Sequence, residues 1–129
     1  YIKTNSLEEY VKMPGKQKNP YKFVNAADLY FCCSYREGFS TSCQEAALLG
    51  IPVISVDVDG AQELKELSGC GVVLKNDEDG ICKGLVKILE DEKQIAKWKE
   101  QAKASKEVFY KSERVKKANS ILKAGMDNA

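Results

Sequence analysis

Apolar residues along this chain follow two kinds of spacing. Leu29-Tyr-Phe-Cys-Cys33 and Pro52-Val-Ile-Ser-Val56 are continuous runs, too short for helices and bounded by turn residues, and they read as buried strands of a parallel sheet. Gly71-Val-Val-Leu74 is a further candidate, as is Tyr10-Val-Lys-Met13, which ends at Pro14-Gly15. Between the runs the spacing is helical. Pro20 to Ala27 opens with Asn19 as cap and Pro20 at the first helical position, Thr41 to Leu49 closes at Gly50, and Gln62 to Leu67 makes a third helix. Asp77 or Asp79 caps the next, whose Ile81, Leu85, Ile88 and Leu89 share one face. From Lys93 to Lys123 the pattern is a long polar helix broken near Ser105, with Ile95, Trp98, Ala102, Val108, Phe109, Val115 and Ile121 as its docking stripe.

Strand and helix therefore alternate, which predicts an α/β fold: an open parallel sheet with helices on both faces. Residues 1–9 read as the end of one helix and a connection, with no strand before them. The expected organisation is a sheet domain over residues 1–92 that lacks its first βαβ unit, then a helical tail, residues 93–129, packing on or crossing from it.

Composition narrows what such a fold could do. The chain has 129 residues, 43% apolar and 30% charged, as in ordinary globular domains, and 20 basic against 19 acidic residues leave a net charge of +1. No overall field draws nucleic acid or an anionic membrane; lysines dominate after Lys83, as a solvated helix face or a basic docking surface. No window approaches the ~18 apolar residues of a membrane span and the start is unlike a signal peptide, so a cytoplasmic protein is expected. Five cysteines (32, 33, 43, 70 and 82) form no C-x-x-C pair and sit mostly among apolar residues, which predicts buried, reduced thiols. Histidine is absent, which removes Ser-His-Asp and Cys-His chemistry and the usual zinc sites.

Ligands of open parallel sheets bind beyond the carboxyl ends of the strands. Three loops leave those ends here: Pro14 to Asn19, Ser34 to Ser40, and Asp57 to Ala61. In the second, Gly38 allows a sharp turn and Ser40 or Thr41 opens a helix whose first amides have no intrahelical acceptor, a place for phosphate. Glu37 precedes that start and Glu45 lies one turn after Thr41. A carboxylate repels phosphate, so hydroxyl groups on either side of a diphosphate are the better partners, as in a nucleoside diphosphate sugar. Other readings stand beside this one. Glu37 could help cap the following helix. Glu45, among Cys43, Ala46, Ala47, Leu48 and Leu49, could form a buried ion pair with a lysine. Asp57-Val-Asp59 spells Asp-x-Asp but overlaps a turn at Gly60 and is weak evidence for a cation site.

Ala27-Asp28-Leu29-Tyr-Phe-Cys-Cys-Ser34, Glu37-Gly-Phe-Ser with Glu45-Ala46, Leu49-Gly-Ile-Pro-Val-Ile-Ser-Val-Asp57 and Gly60-Ala-Gln-Glu-Leu64 together resemble the C-terminal domain of group 1 (family 4) retaining glycosyltransferases of the GT-B type. The resemblance covers about residues 5 to 92, and its most specific part is the E-x7-E spacing within a strand-helix-strand context. It implies a Rossmann-like, donor-nucleotide-binding domain. Glu37 would contact the transferred sugar as the catalytic carboxylate. Gly38 and the amides of Phe39, Ser40 and Thr41 would hold sugar and distal phosphate, Glu45 would bind the ribose hydroxyls, and Lys16 and Gln17 would pack against the base. Asp59-Gly60 and Glu63 match a turn that is mostly structural, while Arg36 reads as an exposed loop residue and Cys43 as core.

The resemblance further implies transfer of a glycosyl group with retention to an acceptor hydroxyl, in cell-surface polysaccharide or glycolipid synthesis. The donor would be a nucleotide-sugar, with no metal and no other cofactor. A missing N-terminal domain would bind the acceptor glycan or lipid-linked sugar, this fragment alone would be inactive, and the intact enzyme would associate peripherally with the inner face of the membrane. The alternative is a non-catalytic doubly wound nucleotide-binding or regulatory module; a receiver-like one would need an acidic pair after its first strand, which is lacking.

Overall fold

In a computed structural model the chain is described over residues 1–110, so the tail beyond Tyr110, with Val115 and Ile121, lies outside the described residues. Three strands form one parallel sheet in chain order, β1 (Tyr30–Cys32), β2 (Val53–Val56) and β3 (Val72–Leu74). The central β2 is buried at all four residues, as a strand covered on both sides must be. Tyr30, Phe31 and Cys32 pair with Val53, Ile54 and Ser55, and Ile54, Ser55 and Val56 pair with Val72, Val73 and Leu74.

Side chains alternate between faces along each strand, so this register sorts them. Tyr30, Cys32 and Val53 lie on one face and pack into a core with Cys43, Ala46 and Ala47 of α2 (Thr41–Leu48), Leu64 of α3 (Ala61–Ser68), Ile51 and Phe109. Phe31, Ile54, Val56, Val72 and Leu74 lie on the other. There Gly84 of α4 (Glu78–Leu89) approaches so closely that a Cβ on it would stand 2.6 Å from Leu74 Cδ2. Helices thus cover both faces, as the alternation predicted.

Local chemistry explains the helix limits. Ile51 N–H reaches Ala46 O at 3.0 Å and Gly50 N–H reaches Ala47 O at 2.9 Å, with Gly50 at φ +74°, the left-handed ending that glycine favours. Asp77 caps α4 by accepting from Gly80 N–H at 2.7 Å, while Asp79 pairs with Lys83 one turn on. Ile81, Leu85 and Ile88 are half-buried beneath that helix, but Leu89 is 61% exposed. Asp91 caps α5 (Glu92–Ser105) through Gln94 N–H at 2.9 Å. The break near Ser105 is real: a 3-10 turn, Lys106–Phe109, follows and places Phe109 in the core. Val108 departs from the predicted stripe at 44% exposed, because the tighter turn rotates it away from the side that buries Phe109.

α5 crosses from α4 back to the other face. Lys99 pairs with Asp28 before β1 at 2.6 Å, Lys103 lies against Gly50, and the Ser105 hydroxyl donates to Ser68 O at 2.7 Å. The strand predicted at Tyr10–Met13 does not form. The amides of Tyr10 and Val11 turn back to Leu7 O at 3.0 and 2.8 Å, which spends the donors a ladder would need, and Tyr10 and Met13 are 82% and 81% exposed. The cysteines are all free, but only Cys43 and Cys70 are buried; Cys33 and Cys82 are exposed, contrary to the expectation of mostly buried thiols. Cys33 follows the last paired residue of β1 and Cys82 lies on the outer side of α4, beyond the reach of either core face. No helix among the described residues is long and apolar enough to cross a membrane.

Candidate functional site

The loops after β1 and β2 meet at the carboxyl edge of the sheet. Tyr35, Arg36, Glu37 and Gly38 from the first, with Asp57, Val58 and Asp59 from the second, line an open cleft of about 540 Å³. Gly60 locks the loops together. Its φ is +77°, and a Cβ there would stand 2.9 Å from Gly38 O and 3.1 Å from Phe39 Cα, so the second loop rests on the backbone of the first.

Glu37 is half-buried and tethered: the Ser34 hydroxyl donates to its Oε1 at 3.1 Å, and Ser34 in turn lies 3.7 Å from Cys32 Sγ at the end of β1. One carboxylate oxygen is thereby oriented by the strand, while the second keeps its acceptor capacity. With Asp57 and Asp59 beside it, the cleft carries three carboxylates against Arg36. Such a lining accepts hydrogen bonds and disfavours anions.

The start of α2 has the opposite polarity. Ser40 stands at its N-cap, but its side chain makes no cap hydrogen bond; the Ser40 hydroxyl bonds that of Ser42 at 3.2 Å. Gln44 Nε2 donates to the carbonyls of Phe39 and Ser40 at 3.1 and 3.4 Å, which holds the turn leading into the helix. A helix start without a side-chain acceptor presents amide donors and the positive end of its dipole to an incoming anion.

Glu45 is placed differently from the sequence expectation. It is half-buried rather than interior, and its partner among the described residues is a phenol and not a lysine: Tyr21 Oη donates to Glu45 Oε1 at 3.0 Å. Tyr21 opens the short helix α1 (Tyr21–Asn25), and its own N–H is accepted by Asn19 Oδ1 at 3.1 Å. The hydrogen bond to Glu45, then the nearby negative charge, raise the Tyr21 phenol above its ordinary range. Lys16 is exposed, and Gln17 closes its own loop by donating from Nε2 to Pro14 O at 2.7 Å. The structure therefore gathers Glu37 and Gly38 in one cleft, with Phe39 against Gly60. Thr41 opens the adjoining helix, and Glu45, Lys16 and Gln17 stand off the cleft lining.

Tyr21 and Ser34 were not singled out in the sequence. Ser34 could have been noticed three residues before Glu37, whereas nothing in the chain pairs Tyr21 with a glutamate 24 positions away. Cys43 is packed in the core beneath the site, and burial, opposed by a hydrogen bond with Ser40 and aided by Cys32, pushes its thiol up to about 11. That suits packing, not nucleophilic chemistry.

The fold is that of an open parallel α/β domain, a class whose ligands bind beyond the carboxyl ends of the strands. The profile of the family described as "Glycosyl transferases group 1" matches residues 1–105, and this chain belongs to that family. Over 124 residues it is 33% identical to a protein of Campylobacter jejuni named N-acetylgalactosamine-N,N'-diacetylbacillosaminyl-diphospho-undecaprenol 4-alpha-N-acetylgalactosaminyltransferase. The match takes in 95% of this chain and 33% of that relative, so the chain spans about a third of its length.

Proposed function

We propose that this chain supplies one wall of the nucleotide-sugar donor site of a retaining, GT-B-type glycosyltransferase. The observation that carries the reading is the opposition of charge across a few residues: an acceptor-rich cleft around Glu37 adjoins an uncapped helix start at Ser40 and Thr41. A donor needs both. Its diphosphate is drawn to the helix-start amides and its sugar hydroxyls to the carboxylates, an arrangement that also stabilises the leaving diphosphate as the sugar bond breaks. Glu37, held by Ser34, acts on the transferred sugar and steadies positive charge developing at its reacting carbon. Gly38, Phe39, Ser40 and Thr41 line the phosphate path, and Glu45 takes the ribose. Lys16 and Gln17 border the base.

The acceptor is a lipid-linked sugar held by protein outside this chain, a reading supported by the diphospho-undecaprenol in the relative's name. A lipid-linked acceptor calls for a membrane surface, and in this reading that surface is the cytoplasmic face. The helix start supplies the positive potential at the diphosphate, so the reading calls for no metal.

Titration of UDP, GDP and ADP, followed by thermal shift and NMR, tests the donor reading. One of them is expected to raise the melting temperature and to move amide signals of residues 38–41. Glu45→Ala should weaken that nucleotide by roughly tenfold, as expected for a lost charged hydrogen bond. Unchanged affinity in Glu45→Ala, or no response to any nucleotide, would sink the reading.

A further inference from the structure

We propose that Tyr21 is a positioning residue that presets Glu45 for a ribose diol and thereby gives the site its preference for ribonucleotides over 2′-deoxyribonucleotides. The inference rests on the donor-site reading above and concerns a residue outside the E-x7-E pattern.

Glu45 has a flexible side chain on a half-buried helix position. Left alone, it would sample several rotamers, and ordering it would weaken ligand binding. The phenol of Tyr21 reaches it from another helix at 3.0 Å and pins Oε1. An ionised carboxylate has about four lone-pair sites, and a phenol uses only one. Oε2 and the remaining capacity of Oε1 can therefore accept both hydroxyls of a vicinal diol. A 2′-deoxyribose offers one hydroxyl fewer, and in an oriented, partly desolvated site that deficit is felt.

Tyr21 is itself held. Asn19 Oδ1 accepts from its N–H at 3.1 Å, Pro20 restricts the backbone before it, and Gln17 closes the preceding loop onto Pro14. The pin on Glu45 is thus anchored by the segment that carries Lys16 and Gln17, so the ribose carboxylate and the base-side loop are linked through one hydroxyl. A phenol is protonated through the neutral range, and Glu45 shifts Tyr21 further in that direction, so it remains a donor.

A simple clasp between α1 and α2 would predict lower stability on losing the hydroxyl, with no change in ligand preference. Tyr21→Phe removes that hydroxyl from a ring that is 46% exposed, so the fold is retained, and a melting curve verifies this. The probes are UDP, GDP and ADP with their 2′-deoxy counterparts, titrated by NMR into wild type, Tyr21→Phe, Glu45→Ala and the double variant. Tyr21→Phe should weaken the ribonucleotide by roughly three- to tenfold and the deoxynucleotide, which keeps only its 3′-hydroxyl for Glu45, by clearly less, and should add nothing when Glu45 is already alanine. If Glu45→Ala abolishes the ribo preference while Tyr21→Phe leaves it intact, Tyr21 has no positioning role and the donor reading still stands. Should Glu45→Ala also change nothing, or wild type bind no nucleotide, the donor reading fails and this inference with it.

Discussion

Gly60 offers a test of how the candidate site is held, because a second glycine supplies its control. Gly60 and Gly69 both adopt left-handed backbone, at φ +77° and +65°, so alanine at either carries the same conformational cost, about 1–2 kcal/mol. Their surroundings differ. A Cβ at Gly69 meets nothing within 4 Å, whereas one at Gly60 would stand 2.9 Å from Gly38 O and 3.1 Å from Phe39 Cα, both backbone atoms that cannot swing aside. Crowding of that kind adds about 1–3 kcal/mol, so Gly60→Ala should cost about 2–5 kcal/mol against about 1–2 for Gly69→Ala. For a chain of 129 residues each kcal/mol moves the melting temperature by about 4 °C, which makes the excess at Gly60 readable in one thermal scan. The loop that would have to yield carries Gly38 to Ser40, so Gly60→Ala should also shift the amide signals of residues 38–41 and weaken nucleotide binding, while Gly69→Ala does neither. Equal destabilisation by the two substitutions would show that the loops do not rest on each other and that their contact at Gly60 does not hold the site.

Thiol labelling of the folded chain should modify Cys33 and Cys82 rapidly and leave Cys43 and Cys70 until denaturant is added, since burial raises both of those thiols; mass spectrometry of the labelled peptides reads the order. Asp77 has a folded-state pKa lowered by Lys75 and by Gly80 N–H, so its stabilising contribution is complete above the unfolded value of about 3.9 and fades as pH falls through the lowered folded value. Denaturation of wild type and Asp77→Asn should accordingly differ by a constant amount above about pH 5 and converge in stronger acid. Phe109→Ala should cost about 3–5 kcal/mol in urea unfolding, because a 5%-exposed ring leaves a cavity between α2 and α3; a loss under about 1 kcal/mol would mean that the 3-10 turn does not belong to the core.

Much of the architecture was readable because it depends on local pattern. The run Pro52 to Val56 is apolar at successive positions, which only a strand covered on both faces requires, and β2 is buried throughout. Gly50 and Asp77 stood where helix punctuation is expected, and each performs that task. Tyr10 to Met13 misled because strand-forming residues do not make a strand without a neighbour to bond, and that neighbour is not a local property. Leu89 and Val108 fit a helical stripe by spacing yet are exposed, since the stripe predicts a face and not where its partner ends.

The same division runs through the site. Spacing alone put Glu37 before a glycine turn and Glu45 on the helix that follows, because both positions are set by residues a turn apart. It could not say that Ser34 would hold one carboxylate, that Gly60 would brace the turn from another loop, or that the partner sought for Glu45 would be Tyr21. Those contacts join segments separated along the chain. Their geometry follows from which strands pair and how helices lie across them, and the free energy that selects that arrangement is spread over the whole core.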